Sequence, residues 1–324
     1  MRFLRATLTF LVALAALSAI AQTLTVTSPT DGAFVGSSNQ VKFLIRNAVL
    51  EVTVRVVATG PLGGSTQVEG RFSPNSQGNI DSNLSLTFSA SNPEGAYTIV
   101  VTATEPGQTY TPVTLSVTLD RTKPKFLQFN PTNNAFVRGP VIPISVELDE
   151  TNVKEWRVQV NSQDIPDNTG TTEEFTVNWD TSGIELDGPQ SITIRVKDEA
   201  DNESTQTINV TLDRVSPVLT IQYPQQNTIL RKRSTISVVV DLTDLSTQSI
   251  DVTGIDVVVK SLDGVTTYLR VAREAVRNSG SSTLRWSGRI RWRWTLPTEY
   301  KIVATARDKA GNVAAIQEVT VRPR

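Results

Sequence analysis

The side chains that most often perform catalysis are missing from this sequence of 324 residues, which contains no histidine and no cysteine. Their absence removes the commonest general base, the thiol nucleophile and the preferred ligands of zinc. Carboxylates remain, but Glu173 and Glu174 are adjacent, and a strand would place them on opposite faces. No pair of titratable groups is predicted to share one apolar pocket, so we expect a protein that is not an enzyme and needs no cofactor.

Arginines alternate with apolar residues in the segment 285–294. On a strand, Arg289, Arg291 and Arg293 would share one face, while the intervening Ile and Trp side chains would face the core. Guanidinium groups bind phosphates, sulfates and carboxylates bidentately, so this face is a candidate site for a glycan or another polyanion. Acidic cell-envelope polysaccharide is the expected ligand, and nucleic acid is not. The alternative is an arginine-rich edge strand that resists sheet-to-sheet aggregation.

A second candidate site is the short acidic segment that contains Asp198, Asp201 and Asn202. Their oxygens are the ligands that Ca²⁺ prefers, although the spacing is not that of an EF-hand. Asp and Asn also stabilise hairpin turns by bonding their own backbone, and residues 308–312 keep the same turn with fewer charges. We therefore interpret both segments as turns, with calcium as the weaker alternative. Trp156 and Trp179 fall within apolar alternation, which favours core positions over sugar-stacking platforms.

Short runs rich in Val, Ile and Thr, with apolar residues at every second position, occur along the whole sequence. The clearest are residues 97–103, 191–197 and 300–306, and clusters of Asn, Asp, Gly, Pro and Ser separate such runs. This alternation predicts strands with one face in a core and the other in water. The sequence therefore predicts an all-β protein. Residues 265–281 are ambiguous between a strand and a short helical turn.

The same pattern of predicted strands and turns occurs three times along the sequence. Residues 117–121 and 210–214 both read Val-Thr-Leu-Asp-Arg, and residues 319–322, Val-Thr-Val-Arg, close a third copy. Each copy opens with a strand that ends at a proline, namely Pro29, Pro131 or Pro224. We infer three modules joined by very short connections, each with its own core because no disulfide is available.

The second module resembles a bacterial immunoglobulin-like repeat. The residues that carry the likeness are Trp-Asp-Thr-Ser-Gly at 179–183, Asp-Gly at 187–188 and the turn 198–202, and the third module has the same hairpin at 308–312. The first module departs most, with Phe88 where a Trp is usual and residues 104–108 replacing the turn. The resemblance implies three tandem immunoglobulin-like β-sandwiches in an elongated arrangement. It also implies roles in surface adhesion, in envelope layers or as spacers.

The N-terminus has the three parts of a secretory signal peptide: Arg2 and Arg5, an uncharged stretch rich in Leu and Ala, and small residues up to Ala21. The uncharged stretch is shorter than the roughly 20 residues that span a bilayer. We predict a signal peptide at 1–21, modules at 22–123, 124–216 and 217–324, and an exported protein without a transmembrane segment. It would lie outside the cell, on its surface or in the periplasm.

Charge is distributed unevenly along the chain. Residues 22–124 carry a net charge of −1, residues 125–217 carry −9 with 16 acidic and 7 basic residues, and residues 218–324 carry +7 with 9 acidic and 16 basic residues. Opposite charges on modules 2 and 3 could steer self-association or binding of a cell-envelope protein or polysaccharide. The function expected from the sequence is a structural or adhesive spacer, with polyanion binding by module 3 as the alternative.

Overall fold

The computed structural model describes residues 21–231, 234–291 and 299–323. The predicted signal peptide lies outside the described residues, apart from Ala21. Strands make up most of the described chain, and its helical segments are two 3-10 turns, Pro61–Gly63 and Val252–Gly254. The prediction of an all-β protein is confirmed. No described helix has the length and apolar content needed to cross a bilayer.

Alternating burial explains why these segments are strands. Along Gly188–Asp198, Ile192, Ile194 and Val196 are fully buried, whereas Arg195 between them is exposed. Successive side chains of a strand point to opposite faces, so this pattern places the aliphatic residues between two sheets.

Module 1 contains nine strands in two sheets. The strands are β1 (Thr23–Ser28), β2 (Ala33–Val35), β3 (Ser38–Arg46), β4 (Val52–Thr59), β5 (Ser65–Phe72), β6 (Ile80–Thr87), β7 (Gly95–Glu105), β8 (Gln108–Thr109) and β9 (Val113–Leu119). One sheet has the order β1-β3-β6, and the other has the order β2-β9-β7-β4-β5, with β8 paired to β7. The short β2 runs parallel to the last strand, β9, and the other pairs are antiparallel.

Module 2 repeats this plan with eight strands. They are β10 (Lys125–Asn130), β11 (Phe136–Val137), β12 (Val141–Asp149), β13 (Val153–Val160), β14 (Gln163–Gly170), β15 (Glu174–Asp180), β16 (Gly188–Asp198) and β17 (Glu203–Leu212). The sheets have the orders β10-β12-β15 and β11-β17-β16-β13-β14, and β11 is parallel to the last strand, β17.

The described part of module 3 follows the same plan with one further strand in its first sheet. The strands are β18 (Val218–Tyr223), β19 (Thr228–Leu230), β20 (Ile236–Thr243), β21 (Asp256–Lys260), β22 (Thr267–Arg270), β23 (Ala272–Asn278), β24 (Thr283–Ile290), β25 (Tyr300–Thr305) and β26 (Gln317–Pro323). The sheets have the orders β18-β20-β24-β23 and β19-β26-β25-β21-β22. The ambiguous segment 265–281 is therefore strand in both β22 and β23.

Each module fills its own hydrophobic core, drawn from residues 35–119, 142–212 and 219–321 respectively. Trp156 and Trp179 are buried in the second core, and the Trp156 ring stacks on Phe175 with centroids 3.9 Å apart. The core interpretation of both tryptophans is confirmed, and the sugar-stacking alternative is wrong. In module 1, Phe88 is buried edge-on against Tyr97, with centroids 4.9 Å apart.

The chain divides into two compact units. The first comprises the residues up to Thr122 with the turn Glu199–Asn202, and the second comprises the rest, including the cores of modules 2 and 3. The predicted module boundaries stay predictions at the level of single residues.

Cross-strand pairing corrects the alignment of the third ending. Val117 pairs with Tyr97 and Val210 pairs with Gln190 at the same position of the sandwich, and in module 3 the partner of Tyr300 is Val321. Val321 therefore corresponds to the first residue of the Val-Thr-Leu-Asp-Arg endings. Residues 319–322 lie on the last strand of module 3, β26, but their Val-Thr precedes by two residues the position that Val-Thr occupies in the other two endings.

The tight packing of Trp156 on its cross-strand partner Gly170 gives a test of the second core. A Cβ atom at Gly170 would lie 2.3 Å from Cζ2 of Trp156, whereas one at Gly183 would meet nothing within 4 Å. We expect Gly170→Ala to lower the free energy of unfolding by about 1–3 kcal/mol, because overpacking forces side chains off their rotamers. Gly183→Ala should change it by less than about 0.5 kcal/mol. Equal effects in denaturant titrations of the two full-length variants would contradict this packing.

Candidate functional site

The predicted arginine face lies partly on β24, a strand with neighbours on both sides. Arg289 is exposed and forms an ion pair with Glu274 at 3.1 Å. Arg291 is exposed just beyond the end of β24, and Arg293 lies outside the described residues. In the described sheet β24 lies between β20 and β23. The edge-strand interpretation is therefore wrong, because β23 occupies that edge.

The outer face of this sheet has mixed charge. Arg285 forms two hydrogen bonds of 2.7 Å to the carboxylate of Asp241, and its other neighbour across the strands is Arg277. Two arginines of β24 therefore each have a carboxylate beside them, Asp241 for Arg285 and Glu274 for Arg289. Polyanion binding through Arg289, Arg291 and Arg293 stays a prediction.

A different cluster forms where module 2 ends and module 3 begins. After β17 the chain reads Asp213-Arg214, and Arg214 turns back onto its own module. Its Nε donates to Oδ1 of Asp187 at 2.7 Å, while Nη1 and Nη2 donate to the carbonyls of Thr181 and Ile184 at 2.9 and 2.7 Å. These bonds join the chain exit to the loop between β15 and β16.

Module 1 has the same arrangement at its repeated ending. Arg121 donates from Nη1 to the carbonyl of Ser89 at 3.0 Å, and its backbone N–H donates to Oε1 of Glu94 at 3.0 Å. Arg121 and Glu94 correspond to Arg214 and Asp187. The sequence Val-Thr-Leu-Asp-Arg that the two endings share therefore reflects one local structure.

Asp213 is directed away from the bonds that Arg214 makes. Its side chain is fully buried; Oδ1 accepts the backbone N–H of Val215 at 3.3 Å, and Oδ2 has no hydrogen-bond partner. Its carbonyl oxygen accepts a hydrogen bond of 2.9 Å from Nδ2 of Asn312 in module 3. A carboxylate of module 2 is thereby enclosed beside module 3.

Two further carboxylates, both from module 3, converge on Asp213. Asp308 begins the predicted hairpin, where Oδ1 accepts the backbone N–H of Asn312 and Oδ2 accepts Nδ2 of Asn312, each at 2.7 Å. Asp244 follows β20, and its Oδ2 accepts the hydroxyl of Ser249 at 2.7 Å. The turn interpretation of residues 308–312 is confirmed, and Asp308 also belongs to this cluster.

The cluster concentrates negative charge in a buried place. Asp213, Asp244 and Asp308 are all buried, and one oxygen from each lies within 4.8 Å of the others. Burial, together with the charges of Asp244 and Asp308, raises the pKa of Asp213 to about 6. Burial likewise raises the pKa of Asp244. Among the described residues, none of these three carboxylates forms an ion pair.

Module 1 also contains a buried carboxylate, Glu105, but its surroundings differ from those of the cluster. Glu105 ends β7 as Asp198 ends β16 in module 2. Its Oε2 accepts the backbone N–H groups of Val49 and Leu50 at 3.1 and 3.0 Å, and Gln22 donates to Oε1 at 2.5 Å. Burial acts to raise the pKa of Glu105, but these donors outweigh it and hold the pKa below the usual value.

The predicted calcium candidates do not share one environment. Asp198 is fully buried, Asp201 is exposed with a φ of 66°, and Asn202 is partly buried. Within the first compact unit, Nδ2 of Asn202 donates to the carbonyl of Asp120 at 3.2 Å. This bond parallels the one from Asn312 to Asp213. Calcium binding by Asp198, Asp201 and Asn202 stays a prediction.

Comparison with known proteins adds little beyond the fold. No family model matches the sequence, and no curated protein matches it.

Among solved structures, the chain is similar to the fibronectin(III)-like modules of CbhA from Clostridium thermocellum, with 14% identity over 62% of this chain and 94% of that one and a TM-score of 0.41. It is also similar to a bacterial ice-binding adhesin, with 16% identity over 94% and 98% of the chains and a TM-score of 0.31. A third similar structure is immunoglobulin domains 1–5 of Sidekick-1, with 11% identity over 94% and 59% and a TM-score of 0.30. The assignment of tandem immunoglobulin-like sandwiches rests on the sheets of this chain itself.

The donors around Glu105 predict a pH-dependent contribution to stability. Because its pKa is lowered in the folded state, its ionised form stabilises module 1 above the unfolded pKa of about 4.5, and this contribution is lost as the pH falls through the folded value. We expect Glu105→Gln to lower the free energy of unfolding by about 1 kcal/mol at neutral pH, since hydrogen bonds to a charged acceptor are the stronger ones.

The deficit should shrink as the pH is lowered from neutral through the lowered folded pKa of Glu105, because the native carboxyl then also becomes protonated. The exposed Glu69→Gln serves as the control in the same module. Denaturant titrations at neutral pH and over a series of acidic pH values provide the measurement. A deficit of the same size at neutral and acidic pH would show that the charge of Glu105 does not stabilise the loop between β3 and β4.

Proposed function

We propose that the protein is an exported, non-enzymatic spacer that holds or presents a partner in the bacterial cell envelope or the extracellular space. The observation that carries this proposal is the fixed connection between modules 2 and 3. Each of these modules is a complete sandwich with its own core, and side chains from both bond the first two of the five residues that join them, Asp213 and Arg214.

The connection is restrained from both sides. Arg214 is bonded to the β15–β16 loop, and Asn312 of module 3 donates to the carbonyl of Asp213. Nη1 of Arg138 in module 2 lies 3.4 Å from Oδ1 of Asn312, and the Lys309 ammonium lies 5.3 Å from the centre of the Phe136 ring. A flexible linker between the modules would need none of these contacts. A spacer that fixes the position of one module relative to the next does need them.

Two features of the composition support a role without catalysis and outside the cytoplasm. The sequence contains no histidine or cysteine, which excludes the mechanisms that use them. Its N-terminus has the charge and apolar pattern of a signal peptide.

The alternative of polyanion binding by module 3 gains no specific support. The carboxylates of Asp241 and Glu274 partly neutralise the face that carries Arg285 and Arg289. Self-association through the acidic module 2 and the basic module 3 likewise stays a prediction. A cell-envelope protein or polysaccharide is the partner class that we propose.

Cell fractionation tests the export part of the proposal. The native chain should appear in the envelope or extracellular fraction with Gln22 as its first residue, because signal peptidase cuts after small residues. Leu14→Arg, which places a charge in the apolar segment, should leave the full-length chain in the cytoplasm. Native chain that keeps Met1 and fractionates with cytoplasmic proteins would contradict export.

A further inference from the structure

One buried acceptor in this protein lacks the hydrogen bond that its surroundings should provide. More than nine-tenths of buried polar groups in folded proteins have a partner, yet Oδ2 of the fully buried Asp213 has none. One oxygen of Asp244 and one of Asp308 lie within 4.8 Å of the ligand oxygen that Asp213 offers. Three carboxylates this close repel one another unless a positive charge or a proton lies between them.

The three side chains are held in place rather than merely close. The N–H of Val215 fixes Asp213, the hydroxyl of Ser249 fixes Asp244, and Asn312 fixes Asp308. Each of these donors uses only part of the acceptor capacity, because a carboxylate has about four lone-pair sites. Free acceptor sites on three fixed carboxylates are the arrangement that a metal ion requires.

The basic groups nearby are engaged elsewhere. Arg214, next in sequence to Asp213, pairs with Asp187, and Arg307, next to Asp308, pairs with Asp251 at 3.5 Å. Arg138 contacts the amide oxygen of Asn312 rather than a carboxylate of the cluster. The described residues therefore place no cation of their own among Asp213, Asp244 and Asp308.

We propose that Asp213, Asp244 and Asp308 form a binding site for one Ca²⁺ ion at the junction of modules 2 and 3. All three ligands are oxygens, which hard cations prefer, whereas zinc and copper prefer nitrogen and sulfur ligands. Ca²⁺ accepts six to eight oxygens in irregular geometry, so water and carbonyl oxygens can complete its shell. Mg²⁺ demands near-ideal octahedral geometry and usually binds through one or two carboxylates, so three convergent ones favour Ca²⁺.

The site would join the two modules. Asp213 lies at the end of the last strand of module 2, while Asp244 and Asp308 come from two different loops of module 3. An ion bound to all three would hold these loops against the chain exit that Arg214 fixes from the other side. Binding should therefore stabilise modules 2 and 3 together.

Calcium titration of the full chain, after removal of metals with a chelator, tests the site. We expect saturable binding in calorimetry at neutral pH, and a rise in Tm of about 5–10 °C when Ca²⁺ exceeds its Kd a hundredfold. Asp213→Asn should lose one bound Ca²⁺ per chain and most of the rise in Tm. Without metal, this variant should melt no lower than the native chain, because it removes a repelling charge.

That pairing of effects distinguishes a metal site from a purely structural role. A residue needed only for folding would lower Tm with and without Ca²⁺. Asp244→Asn provides a second variant if Asp213→Asn does not fold, and Glu105→Gln in module 1 is the matched control that should leave the number of bound ions unchanged.

Three results would overturn the proposal. The first is no binding of Ca²⁺ up to about 10 mM, beyond the range of weak extracellular sites. The second is a stoichiometry that neither Asp213→Asn nor Asp244→Asn reduces. The third is a Tm rise with Mg²⁺ equal to that with Ca²⁺ at equal concentration.

Discussion

The junction of modules 2 and 3 depends on the opposite directions taken by two adjacent side chains. Arg214 turns back and bonds the β15–β16 loop of its own module, and Asp213 turns forward into module 3. The guanidinium group satisfies two loop carbonyls and one carboxylate at once, which a lysine could not do with the same geometry. The chain therefore leaves module 2 in one direction, and module 3 begins within reach of Asp213.

The modules differ in how they accommodate a buried carboxylate. In module 1, Glu105 receives N–H donors from the loop between β3 and β4 and from Gln22, so its charge is stabilised within the module. At the later junction, each carboxylate has fewer donors and faces two others, and the pKa of Asp213 rises to about 6. The chain thus contains one buried carboxylate, Glu105, whose charge is stabilised by hydrogen-bond donors. It also contains a cluster of three, Asp213, Asp244 and Asp308, among which the described residues place no positive charge. This contrast supports a bound cation at the junction and gives no support for one at Glu105.

Much of the fold follows from the sequence because alternation is a local signal. Ile192, Ile194 and Val196 indicate the buried face of β16 by themselves, and the prolines after the opening strands indicate where each module begins. The edge-strand alternative for the arginine segment is wrong because the order of strands depends on pairing across the whole sheet. The neighbours of β24 are β20 and β23, one of which is distant in sequence.

The carboxylate cluster could not be predicted for a related reason. In the sequence, Asp213 is recognisable only as part of a repeated ending, and Asp308 only as the start of a turn. Asp244 gave no signal at all, since it follows an ordinary strand. Their meeting depends on how module 3 packs on module 2, which no local pattern records. The one sequence signal of a special structure at the connections is that Leu-Asp-Arg precedes both of them, because a turn alone does not require these three residues.

The central claim is that side chains fix module 3 relative to module 2. Because the sequence has no cysteine, spin labels can be attached cleanly at Thr207→Cys on β17 and Ser237→Cys on β20, both exposed. Double electron–electron resonance on this full-length double variant measures the distribution of distances between the two modules. The account predicts one narrow peak that broadens when Arg214 is replaced by alanine. A broad distribution in the chain that retains Arg214 would contradict it.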